Sequence, residues 1–181
     1  RTAMAEIFSF LTAWLAPITC FTAEEAWLAR PQDVPDGKAD SVHLRLYPTI
    51  PAGWLDVGLG EKWKTVRALR RVVTGALELE RAEKRIGSSL QAAPHVHVAP
   101  EYLDALKGLD LAEICITSGG DLVEGKAPEG AFVLADVAGV GVVPALADGN
   151  KCARCWQVLE EVGKSAAHPL ICRRCEDAVS A

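Results

Sequence analysis

Four cysteines near the end of the chain limit its possible folds more than any other feature of the sequence. They form two C-x-x-C pairs, Cys152 with Cys155 and Cys172 with Cys175, and sixteen residues separate the pairs. Each pair can present two sulfurs to one ion from a tight turn, and this spacing is typical of a four-cysteine zinc site. Four thiolates leave no position for water, so the sequence predicts one structural zinc ion rather than a catalytic one.

Two disulfides are the alternative use of these cysteines. The sequence indicates no targeting or transmembrane segment, so a reducing cytoplasm is the expected compartment, and disulfides are rare there. We therefore expect zinc. Because so short a segment contains few apolar residues, metal binding should supply most of its folding free energy, on the order of 10 kcal/mol or more.

Charge is distributed unevenly along the 181 residues, whose formal net charge is -5. Residues 61–99 carry eight basic and four acidic side chains, and residues 151–181 carry five basic and four acidic ones. The block between them, at 100–150, carries two basic and nine acidic side chains. Two basic segments that flank an acidic block are compatible with an anionic partner, although the net charge alone does not indicate one.

Apolar periodicity predicts helices in the first half of the chain. The predicted helices run over 3–16, 22–30 and 59–86. Thr22 and Glu25 match a capping box at the start of the second helix, which favours a structural role for the neighbouring carboxylates over a catalytic one.

Beyond residue 87 the pattern changes from helical to alternating. Strands are predicted at 95–99, 113–117, 131–135 and 140–144, with a short helix near 101–107. The sequence therefore predicts an α+β fold in three parts: an incomplete helical bundle at 1–91, a small αβ domain at 92–148 and a zinc ribbon or knuckle at 149–181.

Cationic side chains and one tryptophan surround the predicted zinc site. Lys151, Arg154, Arg173 and Arg174 flank the cysteines, and Trp156 follows the second sulfur. Cations beside an aromatic plane can pair with phosphates and stack an unpaired base, as single-stranded RNA requires. Other roles stay open for these residues. Trp156 could pack the small core or dock the tail on the preceding domain, and the arginines could offset thiolate charge.

The last turns of the long predicted helix carry further candidates for RNA contact. These are Arg81, Lys84 and Arg85. Glutamates on the same helix favour the alternative, a solvated face stabilised by ion pairs.

Three stretches of the sequence resemble the C-terminal part of bacterial isoleucyl-tRNA synthetases, which are class I enzymes. APITCFTAEEAW resembles a segment of the anticodon-binding helices. The run WKTVRALRRVVTGALELERAEKRIGSSLQA resembles the long helix that ends in Ile-Gly-x-Ser-Leu-x-Ala. KCARCW with the later CRRC resembles the terminal zinc module, which the related valine enzyme does not have.

The resemblance implies a partial helical bundle of the anticodon-binding type and a role in holding the anticodon arm of isoleucine tRNA. It implies that the four cysteines ligate zinc and that Arg154 and Trp156 belong to the KCxRCW segment of the family. Nothing in the chain resembles the ATP-binding signatures or the editing domain, so we expect no catalytic residue here and ATP only in a longer parent. Expected partners are the tRNA and the upstream catalytic and editing domains, in a monomeric cytoplasmic protein without a membrane.

Two other classes of protein share some of these features. A DNA-binding zinc finger of the glycosylase type also has a four-cysteine knuckle with basic neighbours. A purely structural zinc tail that pins domains together would bind no nucleic acid.

Overall fold

A computed structural model of the chain describes residues 2–31 and 38–180. Residues 1, 32–37 and 181 of the predicted parts lie outside the described residues. The chain forms two compact units, Arg1–Asp56 and Val57–Ala181. Among the described residues, no helix is both long enough and apolar enough to cross a lipid bilayer.

Within its described residues, the first unit contains two helices and two short 3-10 turns. Helix α1 spans Thr2–Leu15, helix α2 spans Cys20–Leu28, and the turns are Val42–Leu44 and Ala52–Trp54. Pro17 follows α1, as expected for a residue that cannot continue a helix.

Trp27 forms the centre of this unit and is completely buried. Its indole Nε1 donates a hydrogen bond of 2.9 Å to the carbonyl of Ala39. The guanidinium groups of Arg30 and Arg45 lie 4.0 and 4.2 Å from the ring. The tryptophan of the TAEEAW stretch is therefore a packing residue, held by both apolar and cation–π contacts.

The predicted capping box is wrong. Helix α2 begins two residues before Thr22, and its N-cap Thr19 makes no side-chain cap hydrogen bond. Glu24 instead accepts hydrogen bonds from the hydroxyl of Ser41 and the amide of Val42. Its carboxylate holds the following segment against α2, which sequence spacing could not indicate because the partners lie 17 and 18 residues away.

The second unit contains a long helix and a four-stranded sheet. Its first elements are α3 (Val57–Ala82), β1 (His95–Val98), α4 (Pro100–Leu106) and α5 (Leu111–Cys115). They are followed by β2 (Asp121–Glu124), β3 (Phe132–Leu134) and β4 (Val137–Val143). The strand order is β2-β1-β4-β3, with β1 parallel to β2 and antiparallel to β4.

The core of this unit lies between α3 and the sheet. Leu69, Val72 and Val73 of α3 are fully buried, as are Val96 of β1 and Val142 of β4. These residues belong to one cluster that α4 and α5 complete. The apolar residues that recur with helical period in α3 and at alternate positions in β1 therefore face the same core.

In this region one predicted strand is wrong, and one strand of the four-stranded sheet was not predicted. The strand predicted at 113–117 does not form. Residues 111–115 are helix α5, because the Asp110 side chain accepts hydrogen bonds from the amides of Ala112 and Glu113. Strand β2 lies at the sheet edge and is mostly exposed. Its sequence DLVE therefore lacks the buried alternation that reveals the other strands.

Residues 149–180, which we call the zinc module, fold around a small cluster of their own. Strands β5 (Asn150–Lys151) and β6 (Val158–Leu159) pair antiparallel, and α6 spans Arg173–Ser180. The buried residues of the cluster are Val162 and three of the cysteines, Cys152, Cys172 and Cys175. So small an apolar core agrees with a fold that needs a metal.

Candidate metal centre and nucleic-acid interface

The structure brings all four predicted zinc ligands together. One pair follows β5 and the other lies at the start of α6, and the four sulfurs lie within 4.8 Å of one another. The Sγ atoms of Cys155 and Cys172 are 3.7 Å apart. A tetrahedral zinc ion with Zn–S distances of about 2.3 Å needs sulfurs about 3.8 Å apart, so the cluster fits. No other group of three or more potential ligands lies together among the described residues.

Backbone amides donate to a sulfur of the first C-x-x-C pair, Cys152 and Cys155, which we call the first zinc knuckle. The amides of Cys155 and Cys172 point at the sulfur of Cys152, at 3.5 and 3.3 Å. Burial opposes ionisation of this thiol, but the amide donors, including that of Arg154, lower its pKa to about 6. A thiolate at this position is therefore stabilised by fixed dipoles before any metal is added.

The thiol of Cys172, in contrast, is harder to ionise than an ordinary cysteine. Burial and hydrogen bonds with the neighbouring cysteines raise its pKa to about 12. The pKa values of these two thiols therefore diverge, and a bound cation would favour the ionised form of Cys172 as well as that of Cys152. All six cysteines are free thiols, so the alternative of two disulfides is not what the structure contains.

Two of the predicted arginines point towards the sulfurs. Nη1 of Arg154 lies 3.7 Å from Sγ of Cys175. Nη2 of Arg174 donates to Oε1 of Gln157 at 3.3 Å, and its neighbour Cys155 raises the pKa of this guanidinium. Both arginines are exposed, so they can offset thiolate charge on one side and face solvent on the other.

Trp156 and Lys151 form an exposed aromatic and cationic pair. Trp156 is 60% exposed, although the preceding residue, Cys155, packs against the buried cluster of the zinc-binding cysteines. Its backbone lies in the left-handed region at φ 68°, which is uncommon for a bulky residue. Lys151 Nζ lies 5.4 Å from the ring centroid. The indole is therefore turned outward rather than packed on the zinc cluster.

A cleft connects this pair with the segment that follows α3. It has a volume of about 250 Å³ and is lined by Gly87, Ser88, Leu90 and Gln91 together with Lys151 and Trp156. The segment is held rigid by a capping box, in which the side chains of Ser88 and Gln91 bond each other's backbone amides. The IGSSLQA stretch thus reaches the zinc module, a proximity that the sequence alone did not indicate.

The three basic candidates on α3 and its C-terminal turn differ in how they are paired. Arg81 forms an ion pair with Glu78, and Arg85 forms ion pairs with Glu80 and Glu83. The hydrogen bond from Arg85 lowers the pKa of Glu80. The Arg81–Glu78 and Arg85–Glu83 pairs are exposed and therefore weak, whereas the side chain of Glu80 is only 16% exposed.

Lys84 has a different environment. It is exposed, lies at φ 59°, and has no side-chain partner among the described residues. Its ammonium group is the more available cation of the three.

Comparison with known proteins agrees with both halves of this architecture. The family described as the anticodon-binding domain of tRNA ligase matches residues 1–97. The chain belongs to this family. The zinc finger found in FPG and IleRS matches residues 149–178, which include all four cysteines.

The chain is also similar to isoleucine–tRNA ligases of several bacteria. It is 57% identical over 171 residues to that of Brucella abortus biovar 1 (strain 9-941), covering 93% of this chain and 17% of the relative. Identity is 49% over 170 residues with the ligase of Bartonella henselae, again 93% of this chain and 17% of the relative. It is 50% over 172 residues with that of Agrobacterium fabrum, 94% of this chain and 17% of the relative. The chain thus spans about a sixth of the length of these curated relatives.

Proposed function

We propose that this chain is the tRNA-binding C-terminal region of an isoleucine–tRNA ligase. It binds the anticodon stem and loop of isoleucine tRNA, while the longer enzyme attaches isoleucine with ATP. The family match over residues 1–97 and the similarity to isoleucine–tRNA ligases support this proposal. The chain itself contributes RNA contacts and no catalytic group.

The observation that carries the proposal is the outward Trp156 beside Lys151, at a cleft shared with the segment after α3. An unpaired base can stack on the exposed indole, while ammonium and guanidinium groups pair with the adjoining phosphates. A buried tryptophan would have favoured a purely structural tail. The 60% exposure of Trp156 supports the RNA interpretation.

The proposal includes the wider setting of the chain. Its macromolecular partners are isoleucine tRNA and the upstream catalytic and editing domains of the parent, which is a monomer in the cytoplasm. The division into parts at 1–91, 92–148 and 149–181 belongs to the proposal as well. In the RNA surface we include Lys151, Arg154, Trp156, Arg173, Arg174, Arg81, Lys84 and Arg85.

Replacing Trp156 tests the proposal. We expect Trp156→Ala to weaken binding of the isoleucine anticodon stem-loop by about 1–3 kcal/mol, the usual value of a base stacked on an aromatic ring. Trp156→Phe, which keeps an aromatic plane, should retain most of the affinity. Fluorescence anisotropy with a labelled stem-loop measures both.

Partner choice separates the proposal from the glycosylase-type zinc finger. The chain should prefer the isoleucine stem-loop over an unrelated stem-loop and over duplex DNA. Lys151→Ala should reduce the slope of log affinity against log salt by about one, whereas Lys126→Ala, in the acidic block, should leave it unchanged. Equal affinity for all three nucleic acids would argue against the proposal.

A further inference from the structure

One buried hydroxyl joins three segments of the second unit. Ser118 follows α5 and is only 8% exposed. Its Oγ accepts a hydrogen bond of 2.7 Å from the amide of Val158 and donates one to the carbonyl of Leu90. The hydroxyl therefore connects the zinc module to the segment after α3 and uses its proton and a lone pair in doing so.

Neighbouring hydrogen bonds connect the same three segments. The amide of Ser118 donates to the carbonyl of Ala92 at 3.1 Å. The side-chain Nε2 of Gln157 donates to the carbonyl of Thr117 at 3.4 Å. The backbone carbonyl of Gln157 accepts from the amide of Cys152 at 2.8 Å. The residues that meet Thr117 and Ser118 thus adjoin both Trp156 and the first zinc knuckle.

The backbone before Ser118 is strained. Ile116 ends α5 in the left-handed region, at φ 56° and ψ 50°. A β-branched residue rarely adopts this conformation, and glycine is the usual choice at such a helix end. The surrounding contacts therefore hold Ile116 in this turn, which places Thr117 and Ser118 beside the zinc module. Strained residues of this kind persist where the structure needs a particular geometry.

We propose that Ser118 is a positioning residue that fixes the zinc module against the segment after α3, so that Trp156 and Gly87–Gln91 form one RNA-binding cleft. The RNA part of this inference rests on the proposed function. The docking part concerns the fold alone and is tested separately. Ser118 itself does not contact RNA; it acts through the orientation of Trp156.

Amide hydrogen exchange of the zinc-loaded 181-residue chain tests the docking. In Ser118→Ala the Val158 amide loses its acceptor, so we expect its exchange to accelerate by about tenfold. The Cys152 amide, which bonds inside the zinc module, should change by less than about twofold. Ser165→Ala, which removes the hydroxyl bonded to Glu176 within the zinc module, should leave Val158 unaffected.

Combining Ser118→Ala with Trp156→Ala tests the functional part. We expect Ser118→Ala alone to weaken stem-loop binding by about tenfold, and by less than about twofold when Trp156 is already absent, because coupled residues do not act additively. Equal fold-losses in the two backgrounds would indicate general destabilisation and overturn the proposal. Ser118→Thr, which keeps a hydroxyl, should restore binding to within about threefold of the wild type.

Two outcomes separate this inference from the proposed function. If the wild-type chain shows no preference for the stem-loop, the proposed function fails. The docking is then judged by Val158 exchange, and a rate in Ser118→Ala equal to that of the wild type overturns it. If Ser118→Ala does not fold, the wild type decides: a Val158 amide exchanging as fast as a solvent-exposed amide would contradict the inference.

Discussion

Among the glycines of the zinc module, Gly149 leaves the least room for a side chain. Its backbone lies at φ 115°, and an added Cβ would lie 2.2 Å from the carbonyl carbon of Leu159. We expect Gly149→Ala to lower the free energy of unfolding of the zinc-bound module by about 1–3 kcal/mol more than Gly163→Ala. Gly163 also has a positive φ, of 103°, but its added Cβ would lie 3.7 Å from the nearest atom. Thermal unfolding with zinc present measures the difference. An equal loss of unfolding free energy in Gly149→Ala and Gly163→Ala would contradict the steric clash at Gly149.

Single residues differ in how far sequence reveals their role. The cysteines could be identified because a four-thiolate shell requires that residue type at that spacing. The outward conformation of Trp156 could not, since its positive φ depends on the fold of the knuckle. Ser118 belongs to no motif, and its partners Leu90 and Val158 lie 28 and 40 residues away.

Helix α3 offers a test of packing at the scale of one element. Gly60 has nothing within 4 Å of an added Cβ, whereas at Gly75 a Cβ would lie 2.9 Å from the ring of Phe132 on β3. We expect Gly60→Ala to stabilise the chain by about 0.4–1 kcal/mol through lower entropy of the unfolded chain. Gly75→Ala should give no such gain and should destabilise by about 1 kcal/mol. Urea unfolding followed by circular dichroism measures both, and equal stabilisation would contradict the close packing.

Elements with a clear apolar period were predictable, and those formed by local hydrogen bonds were not. Helix α3 and strand β1 bury one face each, and β4 buries a continuous run at 140–142, so their sequences carry a recognisable apolar pattern. Helix α5 depends on the Asp110 cap, which outweighed the apparent alternation. Strand β2 pairs with β1 through its backbone and leaves most of its side chains in solvent.

On the scale of the whole chain, the zinc module and the α3–sheet core are separate clusters. Removing zinc should therefore unfold the module without unfolding the rest. We expect a chelator to expose the amides of Cys152 and Cys175 to rapid exchange, while Val96 and Val98 in β1 remain protected. Simultaneous loss of protection in β1 would show instead that the metal holds the entire second unit.

In the proposed function, zinc holds the cationic and aromatic surface in the conformation that binds RNA. The most direct test of this role is a titration of the isoleucine anticodon stem-loop into the full chain in three states: zinc-bound, chelated, and chelated then resupplied with zinc. We expect chelation to weaken binding by at least about tenfold, the loss of one stacked base or more, and resupply to restore it. Affinity that is unchanged by chelation, with the module shown to be unfolded, would contradict this role of zinc.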